Sequence, residues 1–130
     1  MEVKTDLYYY QFIRNTPKFT GCVIDKDGDK FWYLNGELYR TDGPAVECAD
    51  GTKEWYLNGK LHRTDGPAVE CADGTKRWFS NGKLHREDGP ACEYANGNKY
   101  WWLNGKMLTK EKWSYTVRLN KLGGFLNGNS

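Results

Sequence analysis

Apolar and polar positions along this chain follow one pattern, repeated every 23 residues. Its fullest copy runs Trp55-Tyr-Leu-Asn-Gly-Lys-Leu-His-Arg-Thr-Asp-Gly-Pro-Ala-Val-Glu-Cys-Ala-Asp-Gly and closes at Arg77. Trp32, Trp55, Trp78 and Trp101 open successive copies, a half-copy (22–28) precedes them, and the fourth copy departs after Lys106. A unit this short cannot bury a core of its own and must lean on its neighbours. The pattern predicts a mainly β fold: a single elongated antiparallel β-meander over 20–108, closed by a short C-terminal helix.

The punctuation sets the strands. Asn35-Gly36, Asn58-Gly59, Asn81-Gly82 and Asn104-Gly105 predict two-residue hairpins, because both central positions of a type I′ turn need positive φ. Asp50-Gly51, Asp73-Gly74 and Asn96-Gly97 carry the same signal half a repeat later. Thr64-Asp65-Gly66-Pro67 and its copies make a third break, with glycine supplying an unusual φ and proline removing a ladder donor. About two main strands per repeat follow. Across Asn58-Gly59, Tyr56 pairs with Leu61, Leu57 with Lys60 and Trp55 with His62. The same rule across Asp73-Gly74 sets Val69 opposite Trp78 and Glu70 opposite Arg77. Trp, Leu, Val and Cys then share a buried face. The other face carries the aromatic column Tyr33, Tyr56, Phe79 and Trp102, half-wet and open to a partner. Longer Asp-Gly turns would flip part of this assignment.

The ends fall outside the repeat. Residues 1–19 form an N-terminal cap in which Leu7 to Ile13 reads as a strand or an apolar flap. In the C-terminal cap, 109–124, Thr109, Glu111 and the closing glycines argue for a helix. The alternation of Trp113, Tyr115, Val117 and Leu119 argues for a strand; the helix is the favoured reading. The tail, 125–130, is expected to fray.

Composition narrows the function. The formal net charge is +2 with both signs interspersed, so nothing in the electrostatics points to nucleic acid. No apolar stretch reaches membrane-span length and no leader precedes Lys18, which reads as a cytoplasmic protein. Cys22, Cys48, Cys71 and Cys92 stand where other copies carry small or apolar residues, and no Cys-x-x-Cys occurs, so reduced structural thiols are expected and zinc is not.

Several columns invite chemistry. His62 and His85 sit two strands apart, about 10 Å, too far to share a metal, and read as structural. Arg40, Arg63 and Arg86 repeat with Asp42, Asp65 and Asp88 beside Gly-Pro. They either lock that loop or present a row of cations to an anionic ligand or acidic partner; strict repetition favours the lock. The column Tyr33, Tyr56, Phe79 and Trp102 either stacks on a ligand or peptide or packs the sheet. Aromatics that break the repeat, including Tyr9, Phe12, Trp102, Trp113 and Tyr115, suit interface anchors as well as edge caps. There is no catalytic triad, phosphate loop or dinucleotide fingerprint. No enzyme, cofactor or metal is expected.

With an aromatic ahead of Asn58-Gly59-Lys60-Leu61-His62 and Asp73-Gly74 beyond it, the chain resembles the MORN repeat. The longer form, through Arg63, Asp65, Gly66, Pro67 and Ala68, is similar to a variant found in uncharacterised phage, giant-virus and bacterial proteins. The resemblance covers roughly 20–112. It departs where MORN repeats place Gly-x-Gly after the histidine. It implies an extended β-meander for protein–protein contact, dimerisation or membrane-proximal scaffolding, with no catalytic residues to carry over. The expected function is a non-enzymatic binding module, in its viral form an accessory factor that inhibits a host defence protein. The alternative is an aromatic-lined oligomer that captures a nucleotide or glycan.

Overall fold

A computed structural model of the chain describes residues 1–126, with side chains described through residue 123. The first end comprises strand β1 (Glu2–Lys4), helix α1 (Tyr9–Asn15) and strands β2 (Gly21–Ile24), β3 (Lys30–Leu34) and β4 (Glu37–Leu38). The repeats supply β5 (Val46–Glu47), β6 (Lys53–Glu54), β7 (Tyr56–Leu57), β8 (Lys60–Leu61), β9 (Val69–Glu70), β10 (Lys76–Arg77), β11 (Phe79–Ser80), β12 (Lys83–Leu84) and β13 (Cys92–Glu93). Strands β14 (Lys99–Leu103) and β15 (Lys106–Leu108) lead into helix α2 (Lys110–Leu126). The architecture is the expected mainly β meander. An 11-stranded sheet runs β1-β2-β3-β5-β6-β9-β10-β13-β14-β15 with β4 attached to β3, and the hairpins β7–β8 and β11–β12 form two-stranded ladders of their own. Only the β1–β2 pair is parallel among the described strands. No described helix is long and apolar enough to cross a membrane.

The two glycine turns differ. At the Asn-Gly pairs both residues have positive φ, for example 52° at Asn58 and 75° at Gly59, which is the type I′ geometry. The pairing follows, with Tyr56 against Leu61 and Leu57 against Lys60. At Asp73-Gly74 only the glycine is left-handed, with φ 95°. The Asp73 carboxylate instead accepts the Thr75 N–H at 2.9 Å, and the Cys71 N–H donates to the Thr75 carbonyl at 2.8 Å. This turn holds one residue more than the two-residue hairpin expected from its sequence. Val69 therefore opposes Arg77 and Glu70 opposes Lys76, a correction of one position.

The shift redistributes the faces. Val46 joins Phe19, Val23, Phe31 and Tyr33 in one buried cluster, with Tyr56 packed against it. Leu34 and Leu57 point outward instead, 43% and 40% exposed. The aromatic column is thus buried at its N-terminal end, where Tyr33 is only 7% exposed. The cause is α1, a helix where a strand or flap was expected. Tyr9, Phe12 and Ile13 fall at the i, i+3, i+4 spacing of one helical face. Tyr9 stacks on Phe31 at 4.1 Å, and Phe12 meets Phe19 edge-on at 5.2 Å.

At the other end the helical reading of the C-terminal cap holds. The Thr109 hydroxyl accepts the Lys112 N–H at 3.1 Å, an N-cap bond. The helix continues through Gly123 to Leu126 rather than stopping at the glycines. Of the tail expected to fray, residues 127–130 lie outside the described residues.

The register also lines up charge. One continuous rung runs Lys30, Glu47, Lys53, Glu70, Lys76, Glu93, Lys99, alternating in sign across seven strands. The adjacent rung runs Phe31, Val46, Glu54, Val69, Arg77, Cys92, Tyr100.

Candidate protein-binding surface

Each Arg-x-Asp-Gly-Pro loop folds into a clamp. The Arg63 guanidinium lies 3.8 Å from the centroid of the Trp55 ring. Its Nε donates to Asp65 at 2.9 Å, and its Nη1 donates to the Pro67 carbonyl and to Glu70, both at 3.0 Å. Arg40 on Trp32 and Arg86 on Trp78 repeat the arrangement. Gly66 does not have the unusual φ expected of it. A Cβ there would meet the Arg63 guanidinium carbon at 3.0 Å, so any larger residue would have to displace the arginine from its place in the clamp. The Nε and one terminal nitrogen of all three arginines are thus committed within their own repeats.

Neighbouring copies are joined by a second set of bonds. Nδ1 of His62 accepts the Asn81 N–H at 3.0 Å, and His85 serves Asn104 in the same way at 2.9 Å. A nitrogen that accepts carries no proton, so Nδ1 is deprotonated in both rings. On the opposite side of the repeat, Thr52 accepts the Ala72 N–H at 3.2 Å and Thr75 that of Ala95 at 3.1 Å. The histidines are joints between repeats.

The aromatic residues singled out in the sequence divide into two groups. Phe12, Tyr33 and Tyr56 belong to the N-terminal core, and the exposed Tyr9 stacks on its Phe31 from outside. Burial pushes the Tyr33 phenol up to about 12, and the Tyr56 hydroxyl donates to Glu54 at 3.0 Å. The open column expected there is corrected for Tyr33, which α1 and the core enclose. Trp102 and Trp113 lie at the other end. Trp113 packs on Trp101 at 6.4 Å and donates its Nε1–H to the Arg86 carbonyl at 2.9 Å. Lys110 sits 5.7 Å over Trp101, in the place the clamp arginines hold on earlier tryptophans. Tyr115 projects from α2, 58% exposed. Phe79 lies between the ends and lines a cavity of about 710 Å³ with His62, Trp78, His85 and Lys121.

Three residues not singled out gather around Trp102: Tyr94, Tyr100 and Met107, all exposed. They line one groove with Asn96, Asn98 and Trp102. Tyr100 and Met107 also line a second groove with Lys99, Trp101 and Lys110. Tyr94 meets Tyr100 edge-on at 5.7 Å. The signal was present in the columns: Tyr94 stands where Cys48 and Cys71 do, Tyr100 where Glu54 and Arg77 do, and Met107 where Leu61 and Leu84 do. The Trp102 Nε1 is buried without a hydrogen-bond partner, an uncompensated polar group beside an apolar surface.

The other reactive groups are absorbed by the fold. All four cysteines are free, and burial raises each thiol, that of Cys48 to about 11. That keeps them protonated and poorly nucleophilic. Asp25, Asp27 and Asp29 bring carboxylate oxygens within 4.8 Å of one another. Asp25 accepts the N–H groups of Asp27 and Asp29, which closes the first turn, and Asp29 accepts that of Ala49 at 2.7 Å, which joins this turn to the next copy.

Comparison with protein-family models, with curated proteins and with solved structures finds no match to this chain. The likeness to the MORN repeat rests on its motif alone.

Proposed function

We propose that the protein is a non-enzymatic protein-binding module whose contact surface is its C-terminal end. The observation that carries this reading is the exposed cluster Tyr94, Tyr100 and Met107 around the unsatisfied Trp102 indole. Repeat architecture calls for none of these side chains, and exposed aromatics and methionine are the residue types enriched at interfaces. Arginines and histidines that chemistry could recruit are instead engaged in clamps and joints. The motif's likeness to MORN variants in phage and giant-virus proteins suggests one specific form, an accessory factor that binds and inhibits a host defence protein. Affinity capture of the tagged chain from its host, with mass spectrometry, tests the reading. A stoichiometric partner lost in Tyr100→Ser with Met107→Ser, at unchanged thermal stability, supports it; a partner retained by that double variant refutes the assignment of the surface.

A second reading is favoured by the 710 Å³ cavity between the second and third clamps, where Trp78, Phe79, His62 and His85 meet Lys121. Aromatic walls whose edges mix Lys121 with the carboxylates of Asp65, Glu87 and Asp88 suit stacking of a planar, hydrogen-bonding ring such as a nucleotide base or a sugar. Quenching of tryptophan fluorescence by nucleotides, abolished in Phe79→Ala, would favour this reading.

A further inference from the structure

In every inner copy the outer edge of the Lys-containing strand is covered by the next segment of chain. Lys30 faces Glu47, Lys53 faces Glu70, and Lys76 faces Glu93. One position on, Val46, Val69 and Cys92 fill the adjacent rung, preceded by Ala45, Ala68 and Ala91, each fully buried. The alanine carbonyl accepts the Trp32, Trp55 or Trp78 N–H at 2.8 Å. The covering segment is thus always alanine, a small apolar residue, then glutamate, running antiparallel. In the fourth copy the chain leaves β15 for α2 instead. Lys99 and Tyr100 pair with Glu93 and Cys92 on their inner side, and among the described residues no strand lies outside them.

The alternating rung therefore ends on a lysine whose outer neighbour is missing. Both residues are exposed, in a groove shared with Trp101, Met107, Leu108 and a second lysine, Lys110. An edge like this is a template for strand addition.

We infer that the outer edge of β14 at Lys99 and Tyr100 accepts an extended segment of a partner protein, added as an antiparallel strand, with the local sequence small–apolar–Glu. Glutamate sits opposite Lys99 and extends the rung, the apolar side chain faces Tyr100, and the small residue ends the added strand before Trp101, whose outer side already pairs with Leu108 of β15. The inference rests on the protein-binding reading above and states how the partner is held. Charge decides the class of occupant, since Lys99 and Lys110 both favour an acidic strand.

The probe is a synthetic peptide copying residues 65–70 of the chain, Asp-Gly-Pro-Ala-Val-Glu, titrated into the whole protein and followed by backbone amide NMR. Shifts are expected at Lys99, Tyr100 and Trp101. Lys99→Glu should weaken binding about tenfold, by replacing an attractive pair with a repulsive one. A peptide with lysine in place of its glutamate should restore binding to that variant, which a merely misfolded edge would not allow. Absence of amide shifts at residues 99–101 at millimolar peptide overturns the inference, as does equal binding of the glutamate and lysine peptides. So does a concentration-dependent dimer dissolved by Lys99→Glu, which would give the edge to a second copy. A cellular partner lost in the Tyr100 and Met107 variant but retained in Lys99→Glu would leave the binding-module reading standing and reject the strand addition alone.

Discussion

The Arg63 guanidinium meets an indole, two carboxylates and a carbonyl within one loop, a combination that only a planar, forked cation satisfies. Lysine would keep the charge while losing the fork and most of the stack. Arg63→Lys is expected to destabilise the protein by about 1–2 kcal/mol, read as a lower urea midpoint. His62→Ala leaves the Asn81 N–H without its acceptor and should cost about 1 kcal/mol, since that site is exposed and water takes part of the place. Acid acts on the same small motifs. The Arg63 and Arg86 guanidinium groups hold Asp65 and Asp88 below the ordinary 3.8, and the Thr52 and Thr75 N–H groups do the same for Asp50 and Asp73. A carboxyl that binds its proton less readily when folded stabilises the fold fully above 3.8 and loses that contribution as pH falls through its lowered value. The contribution of these four carboxylates to the urea midpoint should therefore be lost as pH falls below about 4; a midpoint flat into stronger acid would contradict this.

At the scale of elements, the two turns of the repeat depend on different residues. Asn58 pays for a left-handed φ of 52°, so Asn58→Val should cost about 1–2 kcal/mol and loosen the β7–β8 hairpin. Asp73→Asn should be near neutral, because the amide oxygen can still accept the Thr75 N–H, as Asn96 does for Asn98 at 3.0 Å. Thermal unfolding of the two variants checks the contrast. The Asn-Gly hairpins were legible because positive φ at two successive positions has few sequence solutions. The Asp-Gly register was not, because the same dipeptide serves both turn types and an aspartate side chain decides between them. Helix α1 was hidden for another reason: only Tyr9, Phe12 and Ile13 carry its period, inside a continuous aromatic run. The C-terminal cluster was readable as breaks in three columns. Which of those breaks are exposed, and that Lys99 has no outer strand among the described residues, depend on pairings formed only in space.

Across the whole molecule, cohesion is uneven. The buried aromatic cluster lies at the N-terminal end, spanning Phe19 to Val46 with α1 upon it. Beyond it the repeats are held by clamps, joints and small buried residues such as Ala68 and Ala91. Native-state hydrogen exchange should be slowest in β2 and β3 and faster in β10 to β13, because contiguous apolar burial sets the cost of opening. Phe12→Ala should narrow that difference by accelerating exchange in β2 and β3. Equal protection at both ends would show that the clamps contribute as much as the aromatic core.

The rung of alternating lysine and glutamate has a consequence for size. Every repeat brings one cation and one anion to it, along with both halves of each joint, so an added copy leaves no partner wanting. Inserting a duplicate of residues 55–77 in frame should lengthen the molecule by two strand spacings, about 10 Å. The interval between the aromatic core and the open edge is in this sense quantised, and the sequence serves as a ruler whose divisions are single repeats.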